Sequence, residues 1–110
     1  MLDWKGYDAE LDARLREFAS LAPDTLAAYR QLPGKPGALD AKTRELIALA
    51  VAVTTRCDGC IGAHAKAAVK AGASKEELSE ALSMAISLNA GAALVYSARA
   101  LDAFDAAEKG

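Results

Sequence analysis

The helical spacing of apolar side chains is the feature that most limits what this 110-residue chain can fold into. Between residues 8 and 21, Leu11, Leu15, Phe18 and Leu21 recur among charged residues at the spacing of one helix face. The same spacing returns after each turn signal, and no stretch shows the alternation typical of a strand. The sequence therefore predicts an all-α fold of about six helices joined by short turns.

The N-terminal part of the chain is predicted to contain two of these helices. Residues 1–7 are expected to form a loose lead-in to the first helix. Pro23 suits the first turn of a short second helix, in which Leu26 and Tyr29 would face inward. No chemistry is recognisable between residues 8 and 32, so we expect this segment to act as a lid or a subunit contact.

A loop separates this part from a third, more apolar helix. Residues 32–37, Leu-Pro-Gly-Lys-Pro-Gly, form the clearest loop signal in the chain. Asp40 is a good N-cap for a helix that runs to about Thr55. Its segment 46–53 is apolar at every position, so we expect it to be buried on all sides.

Three further helices are predicted in the C-terminal half. The first spans residues 58–71 and stops at Gly72, a usual C-cap residue. Ser74 and Glu77 form a capping box for the next helix, which is expected to end near Asn89. The last helix follows that end and presents an apolar face made of Leu94, Val95, Ala98, Leu101 and Phe104.

The predicted core is small, and this limits what one chain can bury. Apolar residues make up 53% of the sequence but aromatic residues only 5%, so small side chains dominate and the helices can approach closely. The length fits a single domain over residues 1–110, and a domain this short buries only a limited fraction of its surface. Because several helices are broadly apolar, we expect some of their faces to meet other subunits in a homo-oligomer.

Charge and chain ends bear on partners and location. The net charge of −2, without a basic stripe, argues against binding to nucleic acid or to an anionic membrane. No apolar stretch is expected to reach transmembrane length without a charge, and no signal peptide is recognisable at the N-terminus. We therefore expect a cytoplasmic protein, and in a reducing compartment a close cysteine pair is usually catalytic or metal-binding.

Both cysteines and the only histidine lie within residues 57–64, Cys-Asp-Gly-Cys-Ile-Gly-Ala-His. Cys57, Cys60 and His64 follow one another at spacings of three and four, which places them on one face of a helix. The N-terminus of that helix favours thiolate over thiol, whereas the carboxylate of Asp58 opposes it. A neutral His64 could accept a proton from Cys60, so the pattern favours a redox dithiol.

Two other interpretations of the pair remain. The thiols could simply pack as small apolar groups. Alternatively, Cys57, Cys60 and His64 could bind a metal ion with Glu45 or Asp58, although a structural zinc site normally draws a second ligand pair from elsewhere. Haem attachment and a thioredoxin fold are disfavoured, because no histidine follows the second cysteine directly and no βαβ pattern surrounds the motif. The redox interpretation requires neither a metal nor an organic cofactor.

Glu45 is the remaining candidate residue. It opens the apolar segment of the third helix, so it is expected at the edge of the core. It could be an ordinary first-turn carboxylate, favoured there by the helix dipole. If the third and fourth helices form an antiparallel hairpin, however, Glu45 lies about 15 Å along one arm and His64 about 10 Å along the other, so the two could meet. A carboxylate beside His64 would orient the imidazole and raise its basicity.

Glu45, eleven intervening residues, Cys57-x-x-Cys60 and a histidine four positions later together resemble the alkylhydroperoxidase AhpD core of the carboxymuconolactone decarboxylase family. The resemblance covers about residues 39–107. Gly59 stands where the best-characterised members have a histidine, and those members contain two related halves. The resemblance implies an all-helical protein that assembles into trimers or hexamers.

The resemblance also implies an activity and roles for four residues. The expected reaction is reduction of a peroxide, with Cys60 as the attacking thiol and Cys57 as the proton donor and resolving thiol. Glu45 and His64 would form the proton relay, and a dithiol donor, lipoyl or thioredoxin-like, would regenerate the enzyme. The apolar surroundings suit an alkyl peroxide. Two alternatives are a redox-sensing or thiol–disulfide exchange subunit without turnover, and a lyase in which His64 acts as the acid–base group.

Overall fold

Five α-helices account for most of the chain in the computed structural model, which describes residues 1–110. The predicted all-α fold is confirmed, and no strand is present. The helices are α1 (Trp4–Leu21), α2 (Pro23–Arg30), α3 (Ala41–Thr55), α4 (Asp58–Lys70) and α5 (Lys75–Glu108).

Side-chain caps fix the starts of α3 and α5 as the sequence predicts. The Asp40 carboxylate accepts the Thr43 N–H at 2.8 Å, and this hydrogen bond lowers the pKa of Asp40. Ser74 and Glu77 form the expected capping box, in which each side chain accepts the other's backbone N–H. The two helix starts therefore do not depend on packing alone.

An ion pair ties these two helix starts together. Lys42 Nζ lies 2.8 Å from Glu77 Oε2, and the pair lowers the pKa of Glu77 and raises that of Lys42. Because the pKa of Glu77 is lowered in the folded protein, the stabilising contribution of the pair is present at neutral pH. It is lost in acid, as Glu77 becomes protonated.

Small side chains hold α3, α4 and α5 against one another. α3 packs on both α4 and α5, whereas α1 packs on α2 and α4. Four of the five buried residues are alanine or glycine; the set is Leu49, Ala52, Gly62, Ala68 and Ala85. Helices that meet through such residues approach closely, as the composition predicts.

The expected break between the fifth and sixth helices does not occur. α5 continues through Asn89 and Gly91 as one helix of 34 residues. The Asn89 amide donates to the Ala85 carbonyl one turn back at 2.7 Å, so this residue does not compete with the helix. A single glycine lowers helix stability by only about 1 kcal/mol, which the surrounding alanine-rich sequence tolerates.

Three further expectations about the helices are wrong. The lead-in is largely helical, because Asp3 caps α1 by accepting the Gly6 N–H at 3.3 Å. Tyr29 does not face inward: it is 66% exposed. The apolar segment of α3 is not buried on all sides within one chain either, since Ile47 and Val51 are about half exposed.

The C-terminal half of α5 extends beyond the rest of the molecule. The helix is about 51 Å long. Every residue from 92 to 110 is solvent-exposed. Between Glu80 and Arg99 lie 18 residues without a charge, contrary to the sequence expectation. By length and composition alone, α5 could cross a membrane. In this structure its first half packs on α3 instead, where Ala85 is buried.

The chain exposes far more surface than a compact protein of its mass. Its accessible surface is 8852 Å². A compact monomer of 11.4 kDa exposes about 5,800 Å², so roughly 3,000 Å² is in excess. The radius of gyration of 18.9 Å likewise exceeds the roughly 13 Å of a compact domain of this length. The excess is several times the area of about 800 Å² that each partner contributes to a standard interface.

We therefore predict that further copies of this chain cover α5. The resemblance to the AhpD core implies that the protein has three or six times the 11.4 kDa mass of one chain in solution. Light scattering at micromolar concentration measures this mass. Leu94→Glu and Leu101→Glu place a charge on side chains that are 75% and 69% exposed in one chain, and each should lower the mass.

Ser79→Glu is the matched control, because it adds the same charge to an exposed position in the part of α5 that lies beside α3. It should leave the mass unchanged. A monomeric mass for the unaltered protein would contradict the prediction, and so would a monomer that binds lipid vesicles through α5.

Candidate functional site

The turn between α3 and α4 places the cysteines at the start of α4. Arg56 ends α3 in the left-handed conformation, with φ 56° and ψ 52°. The backbone N–H groups of Arg56 and Cys57 both donate to the Ala52 carbonyl, which satisfies the end of the helix. Cys57 is then the N-cap of α4. The chain thus reverses direction within two residues, and α3 and α4 form a hairpin.

The two cysteines are joined in a disulfide. Their Cα atoms lie 5.2 Å apart, within the range that a disulfide spans without backbone movement. The backbone N–H of Cys60 also points at Cys57 Sγ, at a distance of 3.2 Å. The sulfur that takes the N-cap position is therefore that of Cys57, and it receives the partial positive charge of the helix N-terminus.

Glu45 and His64 meet across the hairpin. His64 Nδ1 lies 2.6 Å from Glu45 Oε2, and the two side chains are 42% and 23% exposed. A carboxylate only accepts hydrogen bonds, so Nδ1 carries the proton and a neutral His64 presents Nε2 as a free acceptor. Glu45 and His64, whose contact the sequence predicts only if α3 and α4 form a hairpin, thus contact each other directly.

An open cavity of about 970 Å³ lies over the disulfide. Its floor belongs to the hairpin and includes Cys57, Cys60 and His64. The opposite wall comes from α1 and α2, and most of it is apolar. That wall includes Tyr7, Leu11, Leu15, Phe18, Leu26 and Tyr29.

Sequence reasoning misses the residues of α1 that line this cavity. Leu11 lies so close to Gly59 of α4, and Asp8 so close to Gly62, that a Cβ on either glycine would overlap them, and the Tyr7 hydroxyl also lies beside Gly59. The only signal in the sequence is that two glycines, three positions apart, interrupt an otherwise good helix. Their spacing does not indicate which other helix packs against them. The sequence predicts that residues 8–32 act as a lid or a subunit contact, but it does not indicate which of them contact α4.

The residues proposed as metal ligands are not arranged around a common point in this structure. The two sulfurs are bonded to each other, and the Glu45 carboxylate is occupied by His64. No group of three or more histidine, cysteine, aspartate or glutamate residues is arranged to hold a metal ion. What the arrangement offers is a dithiol–disulfide couple with a carboxylate–imidazole pair one helical turn away.

A helical hairpin that carries this couple at the start of its second arm defines a class of small all-α proteins. The sequence signature of the carboxymuconolactone decarboxylase family matches residues 21–103. The chain belongs to this family, which confirms the resemblance drawn from Glu45, Cys57, Cys60 and His64.

Curated relatives and solved structures agree with this assignment. An uncharacterized protein of Haemophilus influenzae is 54% identical over 105 residues, which cover 93% of each chain. The uncharacterized protein 4 of the cox locus of Paracoccus denitrificans is 40% identical over 82 residues, 74% of each chain. The crystal structure of a carboxymuconolactone decarboxylase family protein from Legionella pneumophila superposes with a TM-score of 0.72 at 40% identity and covers 93% of this chain and 94% of its own.

A second solved structure extends the comparison. A protein from Methanobacterium thermoautotrophicum superposes with a TM-score of 0.66 at 30% identity, covering 74% of this chain and 96% of its own. These likenesses establish the helical fold and the family. Both curated relatives are uncharacterized proteins, so they assign no activity.

We predict that His64→Gln lowers the fraction of Cys60 present as thiolate at neutral pH by about tenfold. The variant cannot accept the thiol proton and so lacks the imidazolium that would stabilise the thiolate, and one nearby positive charge has an effect of that size on an acid–base equilibrium. The measurement is the rate of alkylation of Cys60 in a Cys57→Ser background, where it is the only thiol. Glu45→Gln should act in the same direction through its contact with His64.

Lys70→Gln is the matched control, since it removes a charge from the exposed last turn of the same helix. It should leave the alkylation rate unchanged. Equal rates for the His64→Gln variant and its parent would remove His64 from the relay.

Proposed function

We propose that this protein is a thiol-dependent peroxidase that reduces alkyl peroxides through a cycle between the Cys57–Cys60 disulfide and its dithiol. The observation that carries the proposal is the joined cysteine pair, which shares one cavity with His64 while Glu45 contacts that histidine. Membership of the carboxymuconolactone decarboxylase family supports an enzymatic role.

In the first step, the Cys60 thiolate attacks the terminal oxygen of the peroxide. The O–O bond breaks, Cys60 becomes a sulfenic acid and the alkoxide leaves. The Cys57 thiol donates its proton to the alkoxide, which departs as the alcohol, and Cys57 is left as a thiolate. In this scheme the sulfur loses two electrons and the peroxide gains them. His64 Nε2 accepts the thiol proton beforehand, and the Glu45 carboxylate at Nδ1 stabilises the resulting imidazolium.

In the second step, the Cys57 thiolate attacks the sulfur of the sulfenic acid. An S–S bond forms, the S–O bond breaks, and water leaves with the help of a proton from the His64 imidazolium. Little backbone movement is needed, because the Cα atoms already lie 5.2 Å apart in the disulfide form and the helix start fixes both residues.

A dithiol donor then regenerates the enzyme. Its thiolate attacks Cys60 Sγ to form a mixed disulfide, and Cys57 leaves as thiolate. Cys57 is the better leaving group because its sulfur accepts the Cys60 N–H at the start of α4. The second thiol of the donor completes the exchange. A lipoyl group or a thioredoxin-like protein has the required chemistry, and no organic cofactor or metal enters the cycle.

The surroundings of the disulfide favour an alkyl substrate. The wall that α1 and α2 present to the cavity is formed largely by apolar side chains, including Leu11, Leu15 and Phe18. An alkyl chain buries apolar surface there. We further propose that the protein works in the cytoplasm, where a dithiol donor is available.

A lyase of the same family is a second candidate, and the Glu45–His64 contact favours it independently of the sulfurs. His64 Nε2 would then act as the acid–base group. Activity on a lactone substrate that survives replacement of both cysteines by serine would support the lyase. A redox-sensing subunit would instead be oxidised stoichiometrically without turnover.

We predict that Cys60→Ser abolishes peroxide consumption by the reduced protein in the presence of a dithiol regenerant. Cys57→Ser should still consume one equivalent of peroxide, because the attacking thiol remains, but it should stop at the sulfenic acid. A sulfenic-acid-trapping reagent followed by mass spectrometry measures this product and the residue that carries it.

Asp58→Asn is the control, since it changes an exposed residue between the cysteines without removing a sulfur. It should retain turnover. Equal peroxide consumption by the unaltered protein and the Cys60→Ser variant would refute the assigned role of Cys60.

A further inference from the structure

The first helix lies against the turn of α4 that carries the disulfide, although it lies almost wholly outside the family match, which begins at residue 21. Gly59 stands between the two cysteines. A Cβ there would come within 2.6 Å of Leu11 Cδ2, and the Tyr7 hydroxyl lies 4.0 Å from the same point. The missing side chain at position 59 thus leaves room for the Leu11 side chain beside the residues that carry the sulfurs.

A second glycine repeats this arrangement one turn further along α4. A Cβ on Gly62 would come within 2.7 Å of Asp8 Oδ1 and within 3.5 Å of the Trp4 ring. Gly62 is itself buried. Gly59 and Gly62 together therefore form a seat for α1, which we call the glycine seat.

An ion pair holds α1 in this seat. Asp8 Oδ2 lies 2.6 Å from Lys66 Nζ, one turn beyond Gly62, and the pair raises the pKa of Lys66. The Asp8 side chain is only 15% exposed, and its Oδ2 is closed off from solvent with no hydrogen bond apart from this contact. Lys66 is 71% exposed, so solvent screens the attraction and the pair is a weak clamp.

Little else fixes α1 to the rest of the molecule. None of its residues is buried, and it packs only on α2 and α4. Leu15 and Phe18 remain nearly half exposed. An element with so few buried apolar contacts opens at a small cost in free energy.

We infer that α1 is a movable cover over the disulfide, and that Asp8 is the positioning residue which, with Lys66 and the glycine seat, determines how large a thiol reagent can reach the two sulfurs. A small dithiol enters through the open cavity between the α3–α4 hairpin and the wall formed by α1 and α2. A protein dithiol needs room around the sulfurs, and so it reacts only when α1 lifts away from α4.

The chemistry of this inference is thiol–disulfide exchange alone. A thiolate of the reductant attacks one sulfur and expels the other as thiolate. The second thiol of the reductant then releases the mixed disulfide, so two electrons pass to the protein and the reductant becomes a disulfide. No peroxide takes part. The inference therefore uses the disulfide of the proposed peroxidase but can fail or succeed without it.

The test compares reduction of the Cys57–Cys60 disulfide by dithiothreitol and by thioredoxin. Asp8→Asn and Lys66→Met should each accelerate reduction by thioredoxin about two- to fivefold, the effect expected from losing one exposed ion pair. The rate with dithiothreitol should stay the same. The double variant should react like either single variant, because both changes remove the same contact.

Reversal of the pair distinguishes the ion pair from either side chain alone. The variant that combines Asp8→Lys with Lys66→Asp should restore the slow reaction with thioredoxin, at least in part. Glu10→Gln is the matched control, since it removes an exposed carboxylate from the same helix without touching α4, and it should leave both rates unchanged.

Hydrogen exchange provides a second readout that does not depend on any reductant. In the Asp8→Asn variant, backbone amides of α1 should exchange faster, while those of α3 keep their protection. An unchanged ratio of the two reduction rates, an equal acceleration with both reductants, or unchanged exchange in α1 would each overturn the inference.

Discussion

Close approach of α3, α4 and α5 through small side chains is the constraint on which this structure depends. Ala52, Ala68 and Ala85 are buried where larger residues would hold the helices apart. The short distance between α3 and α4 brings Glu45 within 2.6 Å of His64. The same use of small residues leaves the large apolar side chains on the outside, such as Ile86 and Leu94, which are about 70% exposed or more. A core built from small residues therefore brings the site residues into contact but leaves large apolar side chains exposed to solvent.

Local signals predicted much of the fold because they act within a few residues. Asp40, Ser74 and Glu77 cap their helices as expected, since an N-cap hydrogen bond involves neighbouring residues only. The spacing of Cys57, Cys60 and His64 placed them on one face of a helix for the same reason. The pairing of Glu45 with His64 needed one further assumption, that consecutive helices joined by a short turn lie side by side.

The features that sequence reasoning missed are set by contacts between distant parts of the chain, or by competition between weak signals. Gly91 and Asn89 favour a break, but each acts weakly against the propagation of a long alanine-rich helix, and α5 continues. Tyr29 has the spacing of an inward residue, yet α2 finds only α1 to pack against and leaves it exposed. The approach of Asp8 to Gly62 joins residues more than fifty positions apart and has no local signature.

If further copies of the chain cover it, as we predict, the extended second half of α5 makes folding and assembly a single equilibrium. A helix half that contacts nothing in its own chain gains its stabilisation only when another molecule arrives. The free energy of unfolding then contains the logarithm of the protein concentration, so that dilution alone weakens the fold and a melting temperature has meaning only at a stated concentration.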